Sequence, residues 1–436
     1  MWLFHRNNAA AIRSREPYWL LRNGIGAAGP SLDRSIDCDV AIIGAGITGA
    51  LVADALIETG LRIAVLDARD IAQGSTSAST ALLQYEIDTP LTELTRLLGA
   101  DKALRAYTAC ARSFQMLESR MPELLVLADF GRRESLYLAA DESAVAELRV
   151  EYAARQAIGL NVSWLEAGEL QRRFGCRRPG GILSALGAQV DPFRLARALF
   201  QGAARHGAKI FARTKVVAID EAGIAFQLRT EGGQTVNAAH VIVCAGYESL
   251  GFLERKVADI HNTFALVTEP VGERATRSPL IWENSRPYLY VRGTNDGRLI
   301  VGGEDVPFKS AVAREALLPR QIGRLAAKYA DLFGTELPPV AYSWAGSFAE
   351  TADGLPFIGA VPGMNPRLQF ALCYGGNGIT YSVHAGEMIR ARIEGRAHEL
   401  DDVFGFERKG KGDIPSFRDE KTTRPSSGGL ASELRA

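Results

Sequence analysis

At 436 residues, 47% of them hydrophobic, the chain is too long for one simple core and long enough to bury two. Lys plus Arg equals Asp plus Glu at 50 each, so no net field favours nucleic acid or an anionic membrane. The five cysteines, Cys38, Cys110, Cys176, Cys244 and Cys373, form no CxxC pair, which argues against a disulfide framework or zinc knuckle and fits a reducing, cytoplasmic compartment.

The six histidines show no HExxH-like spacing, so no metal site is expected. The opening stretch lacks the apolar core of a signal peptide. No apolar run reaches the roughly 18 residues of a membrane span, so no transmembrane segment is expected.

In chain order, residues 1–34 read as a loosely packed arm, with PYWL (Pro17 to Leu20) as a surface anchor. Val40 to Asp67 then supplies every part of a dinucleotide-binding βαβ unit. Val40 to Ile43 is a buried parallel strand, GAGITG (Gly44 to Gly49) matches GxGxxG and opens a helix through Glu58, and Arg62 to Leu66 is a second strand ending in an acid. Gly44 allows the tight turn, Gly46 lets the backbone approach a pyrophosphate, Gly49 lets helix pack on strand, and the helix N-terminus attracts the phosphate charge. Asp67 is placed to bind ribose hydroxyls, and an acid there disfavours the 2′-phosphate of NADP.

Pro90 to Met121 has helical spacing. Ser135 to Ala139 and Asn161 to Leu165 read as strands, Asp141 to Gln156 as a helix capped by Asp141, and Ala167 to Phe174 as a short helix. Asp191 caps a helix with Pro192 in its first turn, ending at His206 before Gly207. Lys209 to Ile219, Ala225 to Leu228 and Val236 to Ala239 are strands. HVIVCAGYES follows as an apolar strand whose turn, Cys244, Ala245 and Gly246, belongs at the ligand-binding edge of an open sheet. From Phe264 to Val340 the alternation is that of antiparallel strands, followed by a helix from Pro319 to Leu332. Tyr342 to Gly359, the strand Leu368 to Tyr374 and a Gly-rich turn feeding a helix complete the fold. The polar end, 407–436, reads as a disordered tail.

Five ordered motifs carry a resemblance: GAGITG with Asp67, GSTSAST (Gly74 to Thr80), VDPFRL (Val190 to Leu195), CAGYES, and TADGLPFIG (Thr351 to Gly359) with GGNGIT (Gly375 to Thr380). Through them the chain resembles the D-amino-acid oxidase superfamily of FAD-dependent oxidoreductases, the group that includes glycine oxidase, sarcosine oxidase, D-amino-acid dehydrogenase and γ-glutamylputrescine oxidase. The match covers about Ser35 to Gly405. It implies an α/β fold: a doubly wound Rossmann-type FAD-binding domain (35–100, 185–250 and 341–406) with an inserted antiparallel α+β substrate domain (101–184 and 251–340).

The resemblance implies non-covalent FAD. Gly44, Ala45, Gly46, Ile47, Thr48 and Gly49 would face the pyrophosphate, and Asp67, Ala68 and Arg69 the adenosine ribose. Gly74, Ser75, Thr76, Ser77, Thr80, Ala81 and Leu82 would meet phosphate and isoalloxazine, and Val217 the adenine. Cys244, Ala245, Gly246, Gly354 and Leu355 complete the cofactor set. Gly375, Gly376, Asn377, Gly378, Ile379 and Thr380 would place helix amides where negative charge builds on the reduced flavin.

The chain departs from its relatives on the substrate side. The carboxylate-clamping arginine that follows the WAG-like segment in glycine oxidase is Phe348 here, with Arg292 either its replacement or a plain surface arginine. Gly346 stands where sarcosine oxidase-like enzymes carry a flavin-linking cysteine, and Ile300 or its neighbours stand where they place an oxygen-activating lysine. Both an oxidase using dioxygen and a dehydrogenase using another electron acceptor stay open. Expected pocket residues are Gln84, Tyr85, Glu86, His261, Tyr288, Tyr290, Arg292 and Phe348. Glu86 either pairs with a substrate ammonium or is a solvated acid at a helix start. The expected reaction is hydride transfer from the C–H next to an amine nitrogen of a small molecule. A hydroxy acid or polyol donor is the alternative within enzymes, and a flavin-bearing binding subunit the alternative outside them.

Overall fold

The computed structural model describes residues 2–3, 13–26, 28–120, 122–253, 256–308 and 310–408; of the expected disordered tail 407–436, Arg408 is instead buried on Asp353, and 409–436 lie outside the described residues. One sheet has a parallel core in the order Leu368–Leu372, Thr235–Val243, Ile36–Ile43, Ile63–Leu66 and Lys209–Phe211. Its central strands are apolar on both faces because both are covered. Val40, Ile42 and Val65 share a core with residues of the helices Ile47–Leu56, Pro192–Arg205 and Gly378–Ile393, while Ala41, Ile43, Ala64 and Leu66 belong to a second core. The first half of Thr235–Val243 pairs antiparallel with Ala225–Thr230, which pairs in turn with Val216–Ala222.

A second nine-stranded sheet runs Arg13–Ser14, Val340–Glu350, Asp259–Thr268, Leu299–Pro307, Leu289–Gly293, Leu280–Glu283, Ser135–Leu138, Gly180–Ser184 and Val162–Glu166. Period-two alternation gives it two distinct faces. Phe264, Leu266, Leu289, Val291 and Ala345 pack with Leu318, Leu325 and Leu332 of the helix Ala311–Phe333. The opposite parity, Thr263, Ala265, Tyr288, Tyr290, Trp344 and Phe348, faces a cavity toward the first sheet. A small sheet of Leu82–Gln84, Gly187–Gln189 and Gly131–Arg132 lies beside it.

Four expectations change. PYWL is no surface anchor: Tyr18, Trp19 and Leu20 are buried, and Trp19 Nε1 donates to Ser79 O at 2.7 Å. Lys209 to Ile219 is two strands, because Arg213 takes a left-handed φ of 47° and the chain crosses from the parallel edge to the antiparallel meander. Pro319 does not begin its helix. Ser310 caps that helix, its Oγ accepting from Ala313 N, and the buried face of Arg314, Leu318 and Gln321 holds the helix through the proline. Val340–Glu350 pairs along its length with Asp259–Thr268, so it belongs to the second sheet although the expected boundary at 341 assigns it to the first unit.

Candidate functional site

Between the sheets lies a cavity of about 1030 Å³, at the upper end of the roughly 300–1,000 Å³ of ordinary ligand pockets. It runs from the GxGxxG loop past Gly74–Leu82 to the turn Gly375–Thr380. The three motif glycines do different work. Gly44 has φ 114°, and a Cβ there would sit 2.3 Å from Cys244 O; a Cβ on Gly49 would sit 2.0 Å from Gly44 O. These two close the backbone packing, and Gly46 has an ordinary extended conformation and faces the cavity.

Neighbouring residues shape the loop. Thr76 Oγ1 accepts from Ile47 N at 2.9 Å, tying the Ser/Thr loop to the helix start. Asp67 accepts from Ala45 N at 2.5 Å and from Arg69 N at 2.7 Å while lining the cavity, and burial raises its carboxyl above the usual range against the pull of those amides. Arg69 forks onto Glu248 at 2.6 and 2.9 Å. Gly46, Ile47, Thr48, Ala68, Gly74, Ser75, Thr80, Ala81, Leu82, Val217, Cys244, Ala245 and Gly246 all line the cavity.

Five expected cofactor residues stand behind the wall. Ala45 holds Asp67, Gly49 packs on Gly44, and Ser77 Oγ donates to Gly74 O. Gly354 O accepts from Tyr381 OH, and Leu355 N donates to Asp353, which itself pairs with Arg408.

At the other end Asn377 Nδ2 donates to both Gln84 O and Glu86 O at 2.9 Å, welding the Gly-rich turn to the strand beside it. Gly376 N donates to Asp88 Oδ2 at 2.7 Å, so one amide of this turn already carries an acid. Asn377, Gly378, Ile379 and Thr380 line the cavity.

Of the expected pocket residues, Gln84, Glu86, Tyr288, Tyr290 and Phe348 line the cavity; Tyr85, His261 and Arg292 do not. Glu86 is not solvated: it is 4% exposed, with Arg155 Nη1 at 3.7 Å. Arg292 is neither clamp nor surface residue. It is 2% exposed, donates to Ala81 O and Val190 O, and lies 5.2 Å over the Trp19 ring, and burial lowers its pKa to about 9. Tyr85 is buried against Tyr107 at 6.3 Å. His261 lies opposite Phe348 in register, rings 5.5 Å apart, with Nε2 4.0 Å from Glu350.

The structure adds Asp88, Arg286, Trp344 and the stacked pair Tyr137 and Trp282, ring centroids 3.7 Å apart, to the wall. Arg286 is 58% exposed along its side chain and 3.7 Å from Glu350. Alternation was the available signal: Gln84, Glu86 and Asp88 share one face, while Tyr85 and Ile87 enter the core.

The family described as FAD dependent oxidoreductase (DAO) matches residues 39–392. Glycine oxidase of Bacillus licheniformis is 26% identical over 382 residues, 85% of this chain and 97% of that protein. Gamma-glutamylputrescine oxidoreductase of Escherichia coli K12 is 26% identical over 388 residues, 85% of this chain and 87% of that one. The crystal structure of glycine oxidase from Geobacillus kaustophilus matches with a TM-score of 0.70 at 22% identity, over 84% of this chain and 98% of that one, and shows the same fold.

Proposed function

The chain belongs to the DAO family of FAD-dependent oxidoreductases, and we propose that it oxidises amines whose nitrogen-bearing carbon carries no carboxylate. FAD, when bound, supplies the hydride acceptor for the C–H bond next to the nitrogen. The cavity wall provides the cradle: Gly46 leaves room for phosphate, and the turn Gly375–Thr380 borders the far end. The observation that carries the substrate reading is Phe348, which faces the cavity with an apolar ring, while Glu86 and Asp88 line the wall and Arg286 sits at 58% side-chain exposure. A buried carboxylate without a partner costs several kcal/mol, roughly 2–7 for a polar group and more for a charge. A cationic nitrogen suits the acids of such a wall, whereas an α-carboxylate beside Phe348 has to compete with Glu350 for Arg286. The similarity to gamma-glutamylputrescine oxidoreductase agrees with an amine donor.

The test is anaerobic flavin bleaching by a panel of primary and secondary amines, α-amino acids, hydroxy acids and polyols. Amines should reduce the flavin fastest. Fastest reduction by hydroxy acids or polyols would move the chain to the alternative donor class, and no reduction by any donor would favour a binding subunit.

We place FAD without a covalent bond. Gly346 offers no nucleophile, and burial holds the cavity-lining thiols Cys244 and Cys373 well above the usual thiol range. Acid precipitation should leave all flavin in the supernatant. A cytoplasmic location agrees with five free cysteines, and no described helix is long and apolar enough to cross a membrane. Ile300 is fully buried, and the acceptor, dioxygen or another, is distinguished by comparing reoxidation in air with dye reduction.

A further inference from the structure

Behind the cavity wall lies a charge cluster that is one positive charge short. Arg155, on the helix Val145–Ala157, is wholly buried and donates from Nε to Glu151 Oε1 at 2.8 Å. Glu151 is fully served: Leu91 N, Thr92 N and Thr92 Oγ1 also donate to it at 2.9–3.0 Å. Glu86 is the third member, its Oε1 3.7 Å from Arg155 Nη1. Two carboxylates and one guanidinium sum to a single negative charge, and among the described residues Glu86 Oε2 makes no hydrogen bond. Uncompensated buried charge is costly, so the cluster is completed either by a proton or by a cation. Only Glu86 of the three lines the cavity, so a cation that completes the cluster would approach from there.

We propose that Glu86 is the ammonium receptor of this site and the acceptor of the ammonium proton, a catalytic residue of the amine oxidation. This rests on the amine reading above. Asn377 grips the Glu86 carbonyl, which sets this residue beside the turn Gly375–Thr380 and holds the bound nitrogen at that end of the cavity. The step balances: one N–H bond of R–NH3⁺ breaks, an O–H bond forms on Glu86, and R–NH2 remains with the lone pair that hydride loss from the adjacent carbon requires. The cluster, now Glu86–COOH, Arg155⁺ and Glu151⁻, is neutral. Burial raises the Glu86 carboxyl against the opposing pull of Arg155.

The groups facing Glu86 are few. Arg155, Ser135, Tyr85 and Cys110 interact with Glu86 itself, Glu151, Tyr107 and Tyr137 surround its partner Arg155, and Asp88 follows two residues on in its own segment. None of the others both lines the cavity and carries an unpartnered carboxylate oxygen.

The experiment uses FAD-loaded protein and tert-butylammonium, which has no C–H next to nitrogen and therefore binds without being oxidised. Calorimetry should show wild type binding it, more tightly as pH rises through the ionisation of Glu86, and Glu86→Gln binding it roughly tenfold or more weakly at equal FAD absorbance. Flavin reduction by the best amine of the panel should lose its acid limb in Glu86→Gln and recover only toward the pKa of the amine itself, with Glu86→Asp retaining part of the limb. Wild-type affinity and an unchanged pH profile in Glu86→Gln would overturn the proposal. Should that variant not fold, tert-butanol, of the same shape without charge, decides in wild type: binding as tight as that of tert-butylammonium, or a pH-independent cation affinity, overturns it. Failure of every amine to bleach wild-type flavin instead sinks the amine reading itself.

Discussion

Two glycines of one motif should fail in opposite ways when substituted. Gly46 has φ −84° and ψ −171°, open to any residue, and a Cβ there meets only Thr76 Oγ1 at 3.0 Å before entering the cavity. Gly46→Val should therefore leave the apoprotein within about 1 kcal/mol of wild type, since a helix N-cap glycine replaced by an apolar residue costs about that much. The added methyls occupy the space where a pyrophosphate must touch the backbone, and FAD should be lost. Gly49→Ala differs. Its Cβ would sit 2.0 Å from Gly44 O, a backbone atom that cannot swing away, so helix and strand must separate. Such overpacking costs roughly 1–3 kcal/mol and lowers the melting temperature by about 2–4 °C per kcal/mol or less in a chain this long. The assay is the ratio of flavin to protein absorbance beside the melting temperature of each apoprotein. A Gly46→Val protein that purifies yellow at full occupancy refutes the assignment of this loop.

Phe348→Arg, combined with Glu350→Gln so that the acid two residues on does not capture the guanidinium, should raise kcat/KM for glycine or D-alanine by roughly 10- to 100-fold and lower it for the native amine, as read by steady-state kinetics. Arg292→Ala should lower the melting temperature by leaving Ala81 O and Val190 O without their donor, with KM for the donor unchanged; a raised KM alone would restore Arg292 as a clamp. Burial pushes the Asp305 carboxyl up to about 6, so the folded state binds the extra proton and stability falls as pH rises from about 4 to about 6. Asp305→Asn should melt higher than wild type at pH 7 and converge with it at pH 4.

What could be read from the residues was whatever local chemistry fixes. The βαβ unit from Val40 to Asp67 is set by a continuous apolar strand, three glycines and an acid within 28 residues, and its helix starts inside the motif, at Ile47. Asp191 and Pro192 mark a helix start through a cap and a fixed φ, both local, and the structure keeps them to the residue. Pro319 shows the limit. A proline signals a helix start, yet the buried face of Ala311–Phe333 against the second sheet outweighs one missing hydrogen bond.

The substrate side was harder because long-range pairing decides it. Gln84, Tyr85 and Glu86 looked like one contiguous patch, but the strand ends at Gln84, and the bends that follow send Tyr85 into the core and bring Asp88 to the wall instead. Tyr288, Tyr290 and Arg292 share a parity and hence a face. What separates them is depth: Trp19, two carbonyls and the arm close over Arg292, and nothing near position 292 in sequence announces a partner at position 19. The same holds for Glu86, whose role turns on a guanidinium sixty-nine residues away on another helix. Local pattern places a carboxylate on a wall; only the fold says whether its charge is already balanced, and here that balance is what gives Glu86 a function to test.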